Sequence, residues 1–438
     1  VEDALAAAVI AGLVIAQAAF STRLQRAPVT PPLLFLLAGL LLGPDVTGVI
    51  SAQVDREVLD PLAEVTLVIV LFGDAARLDL RRLRGTAALP ARLLGIGLPL
   101  TVLAGAAAAA WVVPGLTGWP LVVLGAVLAP TDATLGQAVV SDERVPVRIR
   151  QTLNVESGLN DGLALPAVTI AIAATLGEAG AVDAATFVLR QVGLGLVAGI
   201  LVGAAGGRVI DARVRAGAMG GVWQQLATLA VAFVAWGVAE AAGGNGFVAA
   251  FVAGMAFRAV ASHRCETVVD FTEDEGQLLV LLTFLFVGAS LVGPALRAAT
   301  PRTVLYAVLS LTVVRMVPVA LSLLGTGLRA PTVLFLGWFG PRGLASILFG
   351  LLVVEQAGMP EGNRVLEIVV LTATLSAVLH GTTAAPLAGR YAAWADRAGT
   401  GTPELGEMPE LRPRVRFGVD PRRRATRDGD GPPGVTGT

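Results

Sequence analysis

The 438-residue chain has no lysine at all, and its 32 basic residues are all arginine. Set against 33 acidic residues they leave a net charge of −1, so composition indicates neither nucleic acid nor an acidic substrate. Cysteine occurs once, as Cys265, which excludes an intrachain disulfide and a cysteine-built metal cluster. The two histidines, His263 and His380, stand too far apart for a metal motif, and each reads as a satisfied structural side chain. Charge as a whole is scarce: 15% of residues are charged and 55% hydrophobic, with a mean hydropathy of +0.74. Such a chain cannot cover a water-facing surface with polar groups, so lipid is its expected solvent. A basic leader is missing too. Glu2 and Asp3 precede the first apolar run, which therefore reads as a mature helix rather than a signal peptide.

What the chain does have is apolar sequence in runs of helical length. Crossing hydrocarbon of about 30 Å takes roughly 20 helical residues. Divided at proline, glycine and charge, the chain gives about thirteen spans. They fall near 4–22, 29–43, 58–76, 86–113, 119–140, 147–176, 182–207, 222–242, 246–261, 275–293, 302–326, 331–354 and 363–391. The expected fold is an all-α polytopic membrane protein with residues 1–395 as its transmembrane unit.

Arginine placement supports this division, because basic residues collect in cytoplasmic loops. Arg23 and Arg26, then Arg77, Arg81, Arg82, Arg84 and Arg92, then Arg144, Arg148 and Arg150 fall in alternate loops. Arg208, Arg213 and Arg215, then Arg258 and Arg264, then Arg329 continue the series. The opposite loops hold only Arg56, Arg190, Arg297, Arg302 and Arg364. A cell-membrane protein with its N-terminus outside and its C-terminus cytoplasmic follows. From about Asp396 the chain turns polar, with proline, glycine and Arg422-Arg423-Arg424. Residues 396–438 are expected to be a disordered, solvated cytoplasmic tail able to touch anionic lipid.

Two spans are interrupted at matching places, the fifth by Ala129-Pro130-Thr131-Asp132 and the twelfth by Gly340-Pro341-Arg342-Gly343. Seven spans apart, they enter the membrane in opposite directions. That is the mark of an inverted repeat whose two broken helices cross near the midplane and offer free backbone groups to an ion. Simple proline kinks are the plainer reading, but a charged residue beside each break argues against it.

A charge at bilayer depth costs roughly 2.5–3.5 kcal/mol on insertion scales, so each needs a partner or a purpose. Asp132 sits at the first break, Glu156 and Asp161 lie in the sixth span, Arg315 and Arg342 in the eleventh and twelfth, and Asp74 closes the third. The densest run is Asn154-Val155-Glu156-Ser157-Gly158-Leu159-Asn160-Asp161-Gly162. On a helix Ser157 and Asp161 share one face, and Glu156 and Asn160 the neighbouring one. With Thr131 and Asp132 they can form an oxygen-rich cage for a hard monovalent cation. Asp161 is the expected carrier, since a carboxylate withdrawn from water can take either a proton or a cation, and the two compete. Glu156 needs a basic partner from a distant span, with Arg342 as first choice and Arg315 as second, in an ion pair that braces the interrupted helices. Asp74 is placed either at the interface or at the ion entrance. Glu240 and Glu355, at span ends, are expected to be solvated.

At these residues the chain resembles the monovalent cation:proton antiporter-1 family of NhaP-type sodium/proton antiporters and animal sodium/proton exchangers. Leu40-Leu41-Leu42-Gly43-Pro44, Pro130-Thr131-Asp132, the 154–162 run, Gly340-Pro341-Arg342-Gly343 and Leu379-His380-Gly381 carry the likeness across nearly all of residues 1–391. The resemblance implies thirteen helices in an NhaA-like inverted-repeat fold, a homodimer, and an elevator-like movement. A core from about 86–176 and 302–391 would slide against the remaining, dimerising spans. It implies ion and proton binding at Asp161 with Ser157, Thr131 and Asp132, and a structural core of Asn160, Glu156, Arg342 and Arg315. It further implies electroneutral exchange, because asparagine precedes the aspartate, with sodium, lithium or potassium as the cation and no cofactor. Gly73-Asp74-Ala75-Ala76 departs from the glutamate or glycine pair of many relatives, which leaves the role of Asp74 open. Two other classes compete: an intramembrane aspartyl protease using Asp132 and Asp161, and a cation channel or sensor on a transporter frame.

Overall fold

The structure is a computed structural model that describes residues 2–24, 30–50, 56–78, 87–132, 134–175, 181–261, 266–357, 359, 361–399, 401–406 and 408. Arg26, Arg81, Arg82, Arg84, His263, Arg264, Cys265 and residues 409–438 lie outside the described residues. Among those described there is helix and no strand.

The helices run in order α1 (Glu2–Leu24), α2 (Pro31–Leu42), α3 (Arg56–Arg77), α4 (Ala88–Val112), α5 (Trp119–Val127), α6 (Gln137–Val140) and α7 (Val147–Thr175). Next come α8 (Ala181–Arg215), α9 (Gly221–Ala241), α10 (Gly246–Val260) and α11 (Glu266–Val287), the last extended by a π turn Gly288–Val292 and Gly293–Arg297. The chain closes with α12 (Pro301–Ser322), α13 (Ala330–Trp338), α14 (Leu344–Ala357) and α15 (Gly362–Ala398). Helix occupies every expected span in order, and the fifth and twelfth spans are broken where the proline motifs stand. Among the described residues, seven helices are long and apolar enough to cross a membrane: α4, α7, α8, α9, α11, α12 and α15. The others are shorter or more polar, so length and composition alone do not fix the number of crossings.

Local sequence explains the ends. Proline opens α2, α5, α12 and α13, where its missing N–H costs nothing and its fixed φ suits the first turn. Thr300 and Thr303 form a reciprocal capping box on α12, and Asn245 accepts from Val248 N–H at 3.0 Å to cap α10. Glu240 and Glu355 are exposed, and Glu240 accepts from Gly246 N–H at 2.8 Å.

Packing in lipid lacks a hydrophobic drive between helices and relies on close approach instead. Glycines four residues apart on α8 supply it. A Cβ at Gly195 or Gly199 would lie 2.7 or 2.6 Å from a carbonyl oxygen of the α10 region, so these two backbones touch directly. Helix α10 also packs on α3, α11 on α2 and α3, α5 on α4 and α7, and α14 on α15. Helix α15 continues to Ala398, past the expected start of the tail at 396, and residues 403–405 form a further short helical turn.

Candidate functional site

Pro130 and Pro341 cannot donate to a helical ladder, so the chain leaves α5 after Val127 and re-enters helix at Gln137, and likewise leaves α13 after Trp338 and re-enters helix at Leu344. The two extended pieces pair, with Asp132 N–H donating to the Pro341 carbonyl at 2.8 Å. Each break then caps the opposite helix. The Asp132 carboxylate accepts from Leu344 N–H at 3.2 Å, at the start of α14, and from the Thr134 N–H at 2.9 Å and the Thr134 hydroxyl. Arg342 donates through Nη1 to the carbonyls of Ala129 at 2.7 Å and Pro130 at 3.0 Å, beyond the end of α5.

A negative group thus meets a positive helix end and a positive group meets a negative one. Such placement is worth up to about 2 kcal/mol where it is well buried. Without these caps, orphan N–H and C=O groups would face a medium with no water to satisfy them. The Arg342 N–H also donates to Ser376 Oγ at 2.7 Å, which ties the second break to α15. Gly343 leaves room for this contact, since a Cβ there would collide with the Asp132 carboxylate. Gly343→Ala is expected to push Asp132 off Leu344 N–H and lower stability by about 1–3 kcal/mol, read as a drop in melting temperature of the detergent-purified protein. A variant melting like the parent would contradict this capping.

Helix α7 lies along the first break. Ser157 Oγ donates to the Thr131 carbonyl at 2.9 Å, and Asn160 Nδ2 donates to Thr131 Oγ1 at 2.6 Å and more weakly to its carbonyl at 3.4 Å. Asn160 Oδ1 is buried with no hydrogen-bond partner among the described residues, so an acceptor oxygen remains on offer. Thr131, Asp132 and Ser157 line a small cavity with Leu153, Phe339 and Pro341. Asp161 is not in its wall; it follows one turn beyond Ser157 on α7 and is 3% exposed. Asp74 comes to α7 from α3. It is buried and pairs with Arg77 at 3.7 Å, and its carbonyl lies 3.9 Å from where a Cβ on Gly158 would stand. The structure therefore joins Ser157 and Asn160 to Thr131 by hydrogen bonds, sets Asp132 in the same cavity wall, places Asp161 next along the same helix, and sets Asp74 on the flank.

Glu156 corrects the sequence expectation. Its partner is Arg315 of α12, with Nη2 2.6 Å from Oε1 and both side chains almost wholly buried, rather than the first choice, Arg342. The reason lies in the break: the Ala129 and Pro130 carbonyls claim the Arg342 guanidinium, so Arg315 is left for the carboxylate. Arg342 remains close enough to feel the charges of both Arg315 and Glu156. Arg315 in turn lies against the second break, because a Cβ on Gly340 would run into its guanidinium. The ion pair thus reaches from α7 to α12 and abuts the crossing.

Sequence reasoning missed three participants. Thr134 and Ser376 carry no charge and belong to no conspicuous run, and the Leu344 N–H is backbone. His380, expected only to be structural, joins α15 to α13: its Nδ1 is 3.1 Å from Ser376 Oγ and its Nε2 2.9 Å from the Trp338 carbonyl at the end of α13. Among the described residues, no group of three or more His, Cys, Asp or Glu side chains could hold a metal ion. The oxygens at the crossing are a mixture of carboxylate, hydroxyl, amide and backbone carbonyl, a donor set for a hard cation of low charge.

Residues 5–390 match the transmembrane sodium/hydrogen exchanger family. The chain is 27% identical over 360 residues to the K(+)/H(+) antiporter NhaP of Alkalimonas amylolytica, covering 81% of this chain and 61% of that protein. It is 35% identical over 205 residues to an uncharacterized Na(+)/H(+) exchanger of Mycobacterium bovis, covering 46% and 34% of the two chains. The chain thus spans about three fifths or less of the length of these relatives. In three dimensions it is similar to the sodium proton antiporter MjNhaP1 of Methanocaldococcus jannaschii, with a TM-score of 0.75, 20% identity, and coverage of 90% of this chain and 100% of that one. At that identity the likeness shows the fold.

Proposed function

Because the chain belongs to the sodium/hydrogen exchanger family, we propose that it exchanges a monovalent cation for a proton across the cell membrane, with Asp161 as the carrier for which the two compete. The observation that carries this reading is the burial of Asp161, 3% exposed, on the same helix as the Ser157 and Asn160 that hold the first break. Asp132 accepts from the Leu344 and Thr134 N–H groups and Glu156 pairs with Arg315, so both are engaged as anions. Asp161 is read as the carboxylate whose charge either one proton or one monovalent cation neutralises. Charging the site with neither, or with both, is costly in lipid. Competition then yields exchange of one cation for one proton without net charge movement.

In this reading Ser157 Oγ, the Thr131 carbonyl, Asn160 Oδ1 and Asp132 orient the ion beside Asp161. Asn160 and Ser157 also hold Thr131 in place. Glu156–Arg315 and the two reciprocal caps keep the crossing rigid, and Asp74 stands near the ion entrance. The arginine-rich ends of α3 and α7 face the cytoplasm, the chain acts as a homodimer, and the core slides by an elevator movement against the remaining helices. Sodium is the first expected cation, with lithium and potassium next.

A protease using Asp132 is disfavoured by the geometry, because a carboxylate fastened to the N-terminus of α14 is not available to activate water. A channel is separated by voltage. In proteoliposomes, sodium, potassium or lithium gradients imposed at several pH values are expected to move protons without generating a membrane potential. Current that follows the cation gradient, with no proton movement, would replace the exchanger by a channel.

A further inference from the structure

The last long helix, α15, treats the second break as α7 treats the first. On α7, Ser157 Oγ reaches the backbone of Thr131, the residue after Pro130, and Asp161 follows one turn later. On α15, Ser376 Oγ meets the backbone of Arg342, the residue after Pro341, and His380 follows one turn later. These two helices occupy the sixth and thirteenth spans, as far apart in order as the breaks themselves, so the register is the one an inverted repeat imposes. His380 therefore stands in the second half where the carrier carboxylate stands in the first. It is fully buried, and the exchange argued above makes no use of it.

We propose that His380 is a positioning residue for the ion cavity: with Ser376 it clamps both ends of the second break, and it does so as a neutral imidazole protonated on Nε2. This role rests on the exchange function argued above. His380 Nε2 is 2.9 Å from the carbonyl of Trp338, the last residue of α13, and Arg342 N–H donates to Ser376 Oγ at 2.7 Å. One turn of α15 thus spans residues 339–341 from both sides. Phe339 and Pro341 of that stretch line the cavity with Thr131, Asp132 and Ser157, and the Pro341 carbonyl accepts from Asp132 N–H. The fixed separation of Ser376 and His380 along a helix therefore sets where this wall stands. Trp338 is held from α15 a second time, its Nε1–H donating to Thr383 Oγ1 at 3.1 Å.

The contacts fix where the imidazole proton sits. A neutral ring carries one N–H, and a carbonyl can only accept. His380 Nδ1 is 3.1 Å from Ser376 Oγ and 3.1 Å from the Ser376 carbonyl. With the proton on Nε2, the ring donates to the Trp338 carbonyl, and Nδ1 accepts from the Ser376 hydroxyl, whose oxygen is left to receive Arg342 N–H. All three links are then made in one direction, and each polarises the next. With the proton on Nδ1 instead, a bare Nε2 would face the Trp338 oxygen at 2.9 Å with no hydrogen between them. A proton on both nitrogens would add a third buried positive charge to Arg315 and Arg342, whose fields reach this ring, and in lipid that is costly.

The test uses the full chain in proteoliposomes. Only two histidines occur, so isotopic labelling of histidine nitrogens in a His263→Gln variant gives a solid-state NMR spectrum of His380 alone. At neutral pH it should show a protonated Nε2 and an unprotonated Nδ1, and Ser376→Ala should shift the Nδ1 resonance by removing its donor. A proton on Nδ1, or an Nδ1 signal blind to Ser376→Ala, overturns the clamp. In transport, His380→Ala and Ser376→Ala are each expected to raise the KM for sodium roughly tenfold, as loss of a buried hydrogen bond does, with the maximal rate changed less than about twofold. His380→Gln, which keeps a donor and an acceptor, should bring KM back to within about threefold of the parent. A parental KM in the alanine variants, a loss confined to the maximal rate, or glutamine no better than alanine overturns the positioning role. If His380→Ala does not fold, Ser376→Ala and His380→Gln give the same readout. The expected spectrum in a protein that exchanges nothing, parent included, leaves the clamp standing and removes the exchange function instead.

Discussion

Asp161→Asn is expected to abolish the loss of a stored proton gradient that sodium or lithium provokes in inverted vesicles, with the protein still inserted at parental levels. Asparagine keeps the shape and the hydrogen-bonding edge of the side chain but can neither carry a proton nor hold a unit charge. With it the titratable negative charge at position 161 disappears, and with the charge the competition. The effect should be loss rather than attenuation, because the neighbouring carboxylates at the crossing are committed, Asp132 to the α14 N-terminus and Glu156 to Arg315. Calorimetry gives the same test without vesicles: cation binding to the parent should release protons near neutral pH, and binding to the variant should release none. Wild-type exchange by Asp161→Asn would remove this residue from the carrier role.

Glu156→Gln is expected to act on the fold instead of on the chemistry. Removing one partner of a buried pair leaves the other charge uncompensated, typically a cost of about 3–5 kcal/mol. Arg315 would then be a buried cation beside a second buried cation, so the yield of folded protein should fall sharply. A neutral replacement of Arg315 in the same chain should recover much of that yield, because the two residues share one interaction. A neutral replacement of Arg342 should not, since its loss strips the Ala129 and Pro130 carbonyls of their donor whatever stands at 156. Yield by size-exclusion chromatography in detergent and melting temperature, compared among these three variants and the parent, decide the matter; repair at 342 instead of 315 would contradict the pairing.

The breaks and the helical frame were legible because their causes are local. Pro130, Pro341 and the glycines around them interrupt apolar runs wherever they are folded, and the spacing of Ser157, Asn160 and Asp161 puts them on adjoining helix faces before any tertiary contact forms. What could not be read was which distant group each charge would choose. Arg315 and Arg342 offer the same fork of donors, and only the approach of the α5 carbonyls to one of them leaves the other for Glu156. Backbone donors such as Leu344 N–H carry no residue signature at all. The polar composition beyond Asp396 suggested a solvated tail, because composition reports what a segment cannot bury and not that one glutamate in it can cap a helix elsewhere. The helix boundaries at Ala398 and Arg215 ran past the sequence limits for a related reason, since amphipathic turns continue a helix after the apolar run has stopped.

The reciprocal capping also sets a timetable for biogenesis. Asp132 and Leu344 are 212 residues apart, and at about 5–20 residues per second the ribosome needs some 10–40 s to pass from one to the other. Through that interval the first interruption is already in the bilayer, or waiting at the insertion machinery, with its carbonyls and its acid deprived of their final companions. Ser157 and Asn160 are delivered much sooner, 26 and 29 residues after Thr131, and so are the groups able to chaperone the nascent gap until the second half arrives.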